Sequence, residues 1–151
     1  MNLIDKIEEK YKTSIKEKDS NSINTLRLIK SAIKDKQISL RGKQNDLSDA
    51  DVLNILQNLT KQRKDSIDAF SKANRKDLID KELAEIAVIK IFLPEQISEN
   101  ETKKIIEDII KNNNFSSIKD MGKLMNIIKS SYSGKIDMGV AGKIAKSTLS
   151  S

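Results

Sequence analysis

Apolar residues recur three and four positions apart along almost the whole chain, and no segment alternates in the way a half-buried strand would. Leu3, Ile4, Ile7, Tyr11 and Ile15 form the first stripe, which predicts an amphipathic helix to about Glu17. Asp19 to Ser22 are cap-type residues, and Ile23, Leu26, Ile29 and Ile33 then predict a second helix that ends near a loop at Gly42. Ser48, with Asp51 three residues later, opens a third that carries Val52, Ile55, Leu56, Leu59, Ile67 and Phe70. A turn around Asn74 leads to the fourth, with Leu78, Ile79, Leu83, Ile86 and Ile89. Pro94 is the only proline; it disfavours helical backbone at Leu93, so it stops the fourth helix there and marks a domain boundary.

Beyond Pro94 the same grammar repeats. Ser98-Glu99-Asn100-Glu101 reads as a capping box for a fifth helix with Ile105, Ile106, Ile109 and Ile110, broken by Asn112-Asn113-Asn114. Ser117 with Asp120 opens a sixth (Ile118, Met121, Leu124, Met125, Ile128), which Gly134 closes as its C-terminal cap residue. Asp137 caps a seventh, with Val140, Ile144 and Leu149. The expected fold is all-α, with four helices in residues 1–93 and three in residues 94–151.

Composition narrows what such a chain can do. With 37% hydrophobic and 33% charged residues it is globular, but only 3% are aromatic, so the core has to be built from Ile and Leu at helix crossings. Without Cys there are no disulfides, thiolate nucleophiles or Cys metal sites, and without His the usual base near neutral pH and the commonest metal ligand are missing. No metal and no cofactor are expected. The start, Met1-Asn2-Leu3-Ile4-Asp5-Lys6, carries charge where a signal peptide needs an apolar run. The most apolar stretch, Ile86 to Leu93, is interrupted by Lys90 and falls far short of the ~20 residues of a membrane span. A cytoplasmic protein with no membrane partner is expected.

The net charge of +6 attracts nucleic acid or acidic surfaces, and its placement is more telling than its size. Between residues 119 and 151 lie Lys119, Lys123, Lys129, Lys135, Lys143 and Lys146 against two acids, Asp120 and Asp137. Lys119, Lys123 and Ser130 fall on one face of the sixth helix, and Lys143, Lys146 and Ser150 on one face of the seventh, with Lys135 in the loop between. Such a face suits phosphates, which it would hold by charge and hydroxyl contact without reading sequence. Gly122, Gly134, Gly139 and Gly142 lie in the same region, three of them inside predicted helices, where each costs about 1 kcal/mol against Ala. Close helix approach is one account of them, and approach of an RNA backbone is the other.

Arginine is scarce, with Arg27, Arg41, Arg63 and Arg75 against 24 lysines, so an Arg inside a helix is expected to supply geometry that Lys does not. Arg27 adjoins the expected core positions Leu26 and Leu28, and Arg63 adjoins Leu59 and Ile67; both are expected to bridge the second and third helices to a carboxylate on the fourth, Glu85 being the first choice. Catalytic patterns are poor. Lys129-Ser130-Ser131 has the wrong order and surroundings for amidase-type Ser-Lys chemistry. Gly139-Val-Ala-Gly142-Lys143 lacks the Ser or Thr after Lys, and the preceding strand, of a phosphate loop. The acids Glu8, Glu9, Asp49 and Asp51 have no metal-binding spacing.

Five stretches, in order, carry a resemblance: Asn24-Thr-Leu-Arg-Leu-Ile-Lys30, Lys61-Gln-Arg-Lys-Asp-Ser66 with Phe70, Phe92-Leu-Pro-Glu-Gln96, Asp120-Met-Gly-Lys-Leu-Met125 and Gly134-Lys-Ile-Asp-Met-Gly139. The chain resembles the GatB/YqeY family along nearly its whole length. That resemblance implies a four-helix bundle joined to a three-helix bundle, the latter similar to the tail of the B subunit of the tRNA-dependent amidotransferase. It further implies contact with tRNA and association with amidotransferase or other translation proteins. The kinase-like and amidase portions that perform the amidation are not in this sequence, so no catalytic centre is expected of the chain on its own. The rival expectation is a helical adaptor that offers its C-terminal unit to a protein partner. That reading requires an exposed apolar patch on the unit, whereas tRNA binding requires a basic one.

Overall fold

The computed structural model describes residues 2–40 and 47–150, and the expected Gly42 loop lies outside them. Among the described residues the chain is all-α: α1 (Leu3–Glu17), α2 (Ser20–Ser39), α3 (Asp49–Lys72), α4 (Lys76–Lys90), α5 (Glu99–Asn113), α6 (Met121–Ser131) and α7 (Met138–Ser150), with a 3-10 turn at Ile118–Asp120. It divides into two compact units, Met1–Leu93 and Pro94–Ser151.

Helix ends are set by short polar side chains that take up otherwise unpaired N–H groups. Asn2, Asp19, Ser48 and Ser98 each accept from the backbone three residues on. At Ser48 the bonding is reciprocal, since the Asp51 carboxylate accepts the Ser48 N–H at 3.1 Å. At Ser98 only the first half of the expected box forms. Lys18, Asn74 and Asn114 take left-handed backbone at φ 59°, 56° and 55°, and Lys18 and Asn114 are the C-caps of α1 and α5.

In the N-terminal unit α1 packs on α2 and α3, and α4 on α2 and α3. Ile7, Leu26, Ile29, Val52, Leu56 and Ile89 are almost fully buried among them. Three expected core positions are not in it: Leu28, which adjoins the surface Arg27, is 46% exposed, and Ile15 and Leu83 are exposed as well. Ile15 is 48% exposed while Ser14 is fully buried, because the stripe through Ile7 reaches Ser14 in the last turn. The Ser14 hydroxyl satisfies itself on the Lys10 carbonyl at 2.8 Å. Leu83 is 51% exposed because the inner stripe of α4 runs through Glu85, one turn before the buried Ile89.

Glu85 is tolerated there by Arg63. The guanidinium Nε donates to Glu85 Oε2 at 2.8 Å and Nη1 to the Leu59 carbonyl at 3.0 Å, with the two side chains 11% and 14% exposed. Arg27 does something else: its Nε donates to the Tyr11 hydroxyl at 3.2 Å on the surface, so it reaches α1 and no carboxylate of α4. The same Tyr11 ring carries Lys30 Nζ at 4.2 Å, and Lys30 pairs with Glu8 at 3.0 Å.

The fourth helix ends at Lys90, three residues short of the expected stop. Its last turn tightens instead: the N–H groups of Ile91, Phe92 and Leu93 reach the carbonyls of Val88, Ile89 and Lys90, so the winding persists as i to i−3 bonds up to the residue before Pro94.

The C-terminal unit buries Ile106, Leu124, Ile128, Ile136, Ala141 and Ala145 between α5, α6 and α7. Ala141 and Ala145, one turn apart, give α7 a smooth face toward its neighbours. Two boundaries differ from expectation. Ile118 belongs to the 3-10 turn before α6, where its rotation takes it off the helical stripe and leaves it 46% exposed. Gly134 does not cap α6, whose C-cap is Tyr132; it sits at φ 76° inside the Tyr132–Lys135 turn, closed by the Lys135 N–H on the Tyr132 carbonyl at 2.9 Å. Gln96 Nε2 donates to the Gly134 carbonyl at 2.6 Å, and the Ile97 N–H donates to the Lys135 carbonyl at 2.8 Å, tying the Pro94–Ile97 segment to this turn.

Candidate functional site

On α6, Leu124 and Ile128 point into the core, which turns Gly122, Lys123, Asn126, Lys129 and Ser130 outward, all exposed. On α7, burial of Ala141, Ala145 and Leu149 does the same for Gly139, Lys143, Lys146, Ser147 and Ser150. Lys119 is exposed too, but on the 3-10 turn ahead of α6, and Lys135 is exposed in the turn that contains Gly134. The ion pairs among the described residues are Lys30–Glu8, Arg63–Glu85 and Arg75–Asp77, so none of the six tail lysines is consumed in one.

The tail lysines do not share one setting. Lys123 and Lys129 flank Gly122 and Asn126 on the open side of α6. Lys135 lines a cleft of about 750 Å³ together with Glu95, Glu101, Ser131 and Tyr132, so it shares that cleft with two acidic residues. Lys143 lines a groove of about 380 Å³ with Ile144, Ser147 and Thr148 of α7, facing Glu99, Asn100 and Lys103 of α5. Lys103 and Asn100 escaped the sequence reading because only packing of α5 on α7 brings them beside Lys143.

A Cβ built at Gly122 or at Gly142 meets no heavy atom within 4 Å, so close helix packing accounts for neither. Gly139 is exposed and donates its N–H to Asp137 Oδ1 at 2.8 Å in the first turn of α7. Ser130, of the discarded Lys-Ser-Ser pattern, spends its hydroxyl on the Asn126 carbonyl at 2.9 Å. Among the described residues no group of three or more acids, His or Cys is placed to hold a metal, and no helix is long and apolar enough to cross a membrane.

Electrostatics at the foot of α6 centre on Asp120. Its carboxylate accepts the N–H groups of Ser116 at 2.9 Å and Ser117 at 3.3 Å, which hold its pKa below the ordinary carboxylate value, with Lys123 adding to the effect. A carboxyl whose folded pKa is lowered adds stability above the unfolded value of about 3.9 and loses it as pH falls through the folded value. Acid unfolding of the C-terminal unit is therefore expected to steepen below about pH 4, and Asp120→Asn should remove part of that steepening. Circular dichroism followed against pH for the two proteins makes the comparison; identical acid limbs would dismiss the Asp120 cap as a contributor.

Residues 4–149 match the family model of Yqey-like protein. Among curated proteins, the mitochondrial protein Altered inheritance of mitochondria protein 41 of Lachancea thermotolerans is 42% identical over 76 residues, 50% of this chain and 40% of that protein. Its namesake in Saccharomyces cerevisiae is 38% identical over 76 residues, again 50% and 40% of the two chains. An uncharacterized protein of Schizosaccharomyces pombe is 36% identical over 92 residues, 61% of this chain and 72% of that one. The match thus spans less than half the length of the mitochondrial relatives. With the family model running across both helical units, this chain belongs to the Yqey-like protein family.

Proposed function

We propose that the chain is a tRNA-contacting helical module of the cytoplasm, built as a four-helix bundle followed by a three-helix bundle, that serves amidotransferase or other translation proteins without a catalytic centre of its own. One observation carries the reading. The C-terminal unit presents Lys119, Lys123, Lys129, Lys135, Lys143 and Lys146 to solvent, whereas Ile118 is its one exposed large apolar side chain among the described residues. An adaptor that docked through this unit would need the reverse, an apolar patch with few charges at its centre. The exposed Leu28, Ile38, Leu83 and Ile91 all lie in the N-terminal unit.

The test is direct titration of purified protein into labelled bulk tRNA at low salt, followed by anisotropy. Saturable binding is expected, and its absence would reject the proposal in favour of the adaptor. The glycines add a second handle, because open space at Gly122 and Gly142 means that a methyl there strains nothing. Gly142→Ala, inside α7, should raise stability by roughly 0.5–1 kcal/mol. If RNA backbone approaches these surfaces, Gly122→Ala should weaken tRNA binding while leaving stability unchanged or higher. Denaturant unfolding and the same titration read the two effects separately; binding that tracks stability in both variants would show the glycines have no part in contact.

A further inference from the structure

The α5–α7 groove combines features that the open faces of α6 and α7 do not. Two lysines from different helices, Lys103 and Lys143, line one groove of about 380 Å³, the size of a small-ligand site. Asn100 and Ser147 stand in the same walls, and their side chains make no hydrogen bond among the described residues. Thr148, by contrast, already donates to the Ile144 carbonyl at 2.8 Å. Neither lysine is held in an ion pair. The lining holds no aromatic ring, so a base has nothing to stack on there.

We propose that this groove seats one phosphodiester of the RNA backbone. Lys103 and Lys143 neutralise the phosphate from opposite walls, and Asn100 and Ser147 donate to its oxygens or to the neighbouring ribose. The inference rests on the tRNA-contacting reading and sharpens it: it makes α5 part of the interface and makes Lys103 a phosphate-binding residue. Contacts of this kind fix the register of the nucleic acid and carry no base information, in keeping with the groove's lack of a stacking surface. Glu99 shares the rim, so the site works against one carboxylate, which gives the proposal a variant of opposite sign.

Lys104 supplies the control. It is exposed on α5 beside Lys103, carries the same charge and does not line the groove. Binding of labelled bulk tRNA is measured from low to moderate salt for the unmodified protein, Lys103→Gln, Lys104→Gln and Glu99→Gln, after circular dichroism has shown equal helix content. Lys103→Gln should flatten the slope of log affinity against log salt by about 0.7–0.9, the share of one phosphate, and Lys104→Gln should leave it nearly unchanged. Glu99→Gln should tighten binding. If the unmodified protein binds and the two lysine variants weaken it alike, or Glu99→Gln weakens it, the groove is not the site. If the unmodified protein does not bind tRNA at low salt, the broader reading falls and the groove assignment with it.

Discussion

Replacing Arg63 by Ala is expected to cost the N-terminal unit about 3–5 kcal/mol, because it leaves the largely buried Glu85 carboxylate without its partner. Two contacts are lost, the 2.8 Å bond to Glu85 and the 3.0 Å bond to the Leu59 carbonyl. The cost comes mainly from the orphaned charge and not from the worth of the pair, so Arg63→Met together with Glu85→Leu should recover most of the stability. Arg27→Ala should change little, about 0.5 kcal/mol, since its bond to Tyr11 is at the surface. Urea unfolding monitored by far-ultraviolet circular dichroism orders the variants. A loss below about 0.5 kcal/mol for Arg63→Ala would mean that Glu85 finds water or another donor.

Binding to tRNA should weaken steeply with salt. If about four phosphates are neutralised, each contributing a slope of about −0.7 to −0.9, a fourfold rise in salt lowers affinity roughly 50- to 150-fold. Changing Lys123, Lys129 and Lys143 together to Gln should flatten the slope by about two to three units. Lys135 is left out of this set because it lies in the turn beyond α6, in a cleft it shares with Glu95 and Glu101, and not on the open face of either helix. The three positions are exposed, so helix content should survive the change. A matching triple at Lys6, Lys10 and Lys16 removes equal charge from α1. Equal weakening by the two triples would make the attraction a property of net charge and would leave no localised face.

Much of this architecture could be read from the sequence because it is local. Ser48 with Asp51, Asp19, Ser98 and Asp137 each act within three residues, and a cap needs only that span. Arg63 with Glu85 was legible for another reason: in so lysine-rich a chain, an arginine beside core positions stands out. The same reasoning failed at Arg27 because a phenol hydroxyl on α1 can serve a guanidinium as well as a carboxylate can, and nothing nearby in sequence announces it. Leu83 and Ile15 were misplaced because hydrophobic periodicity scores Glu85 and Ser14 as solvent-facing, yet each is satisfied internally and takes an inner position. The α5–α7 groove depends on tertiary packing alone: its walls come from helices separated by the whole of α6.

The tie between the Pro94–Ile97 segment and the Tyr132–Lys135 turn decides how this chain can be dissected. Gln96 and Ile97 precede the first residue of α5 and look like linker, yet one bonds the Gly134 carbonyl and the other the Lys135 carbonyl, and Ile97 also packs on the C-terminal core. A fragment begun at Ser98, where the helix visibly starts, would leave those carbonyls unpaired and strip an apolar side chain from a small core. The compact unit begins at Pro94, four residues earlier than secondary structure alone would place the cut.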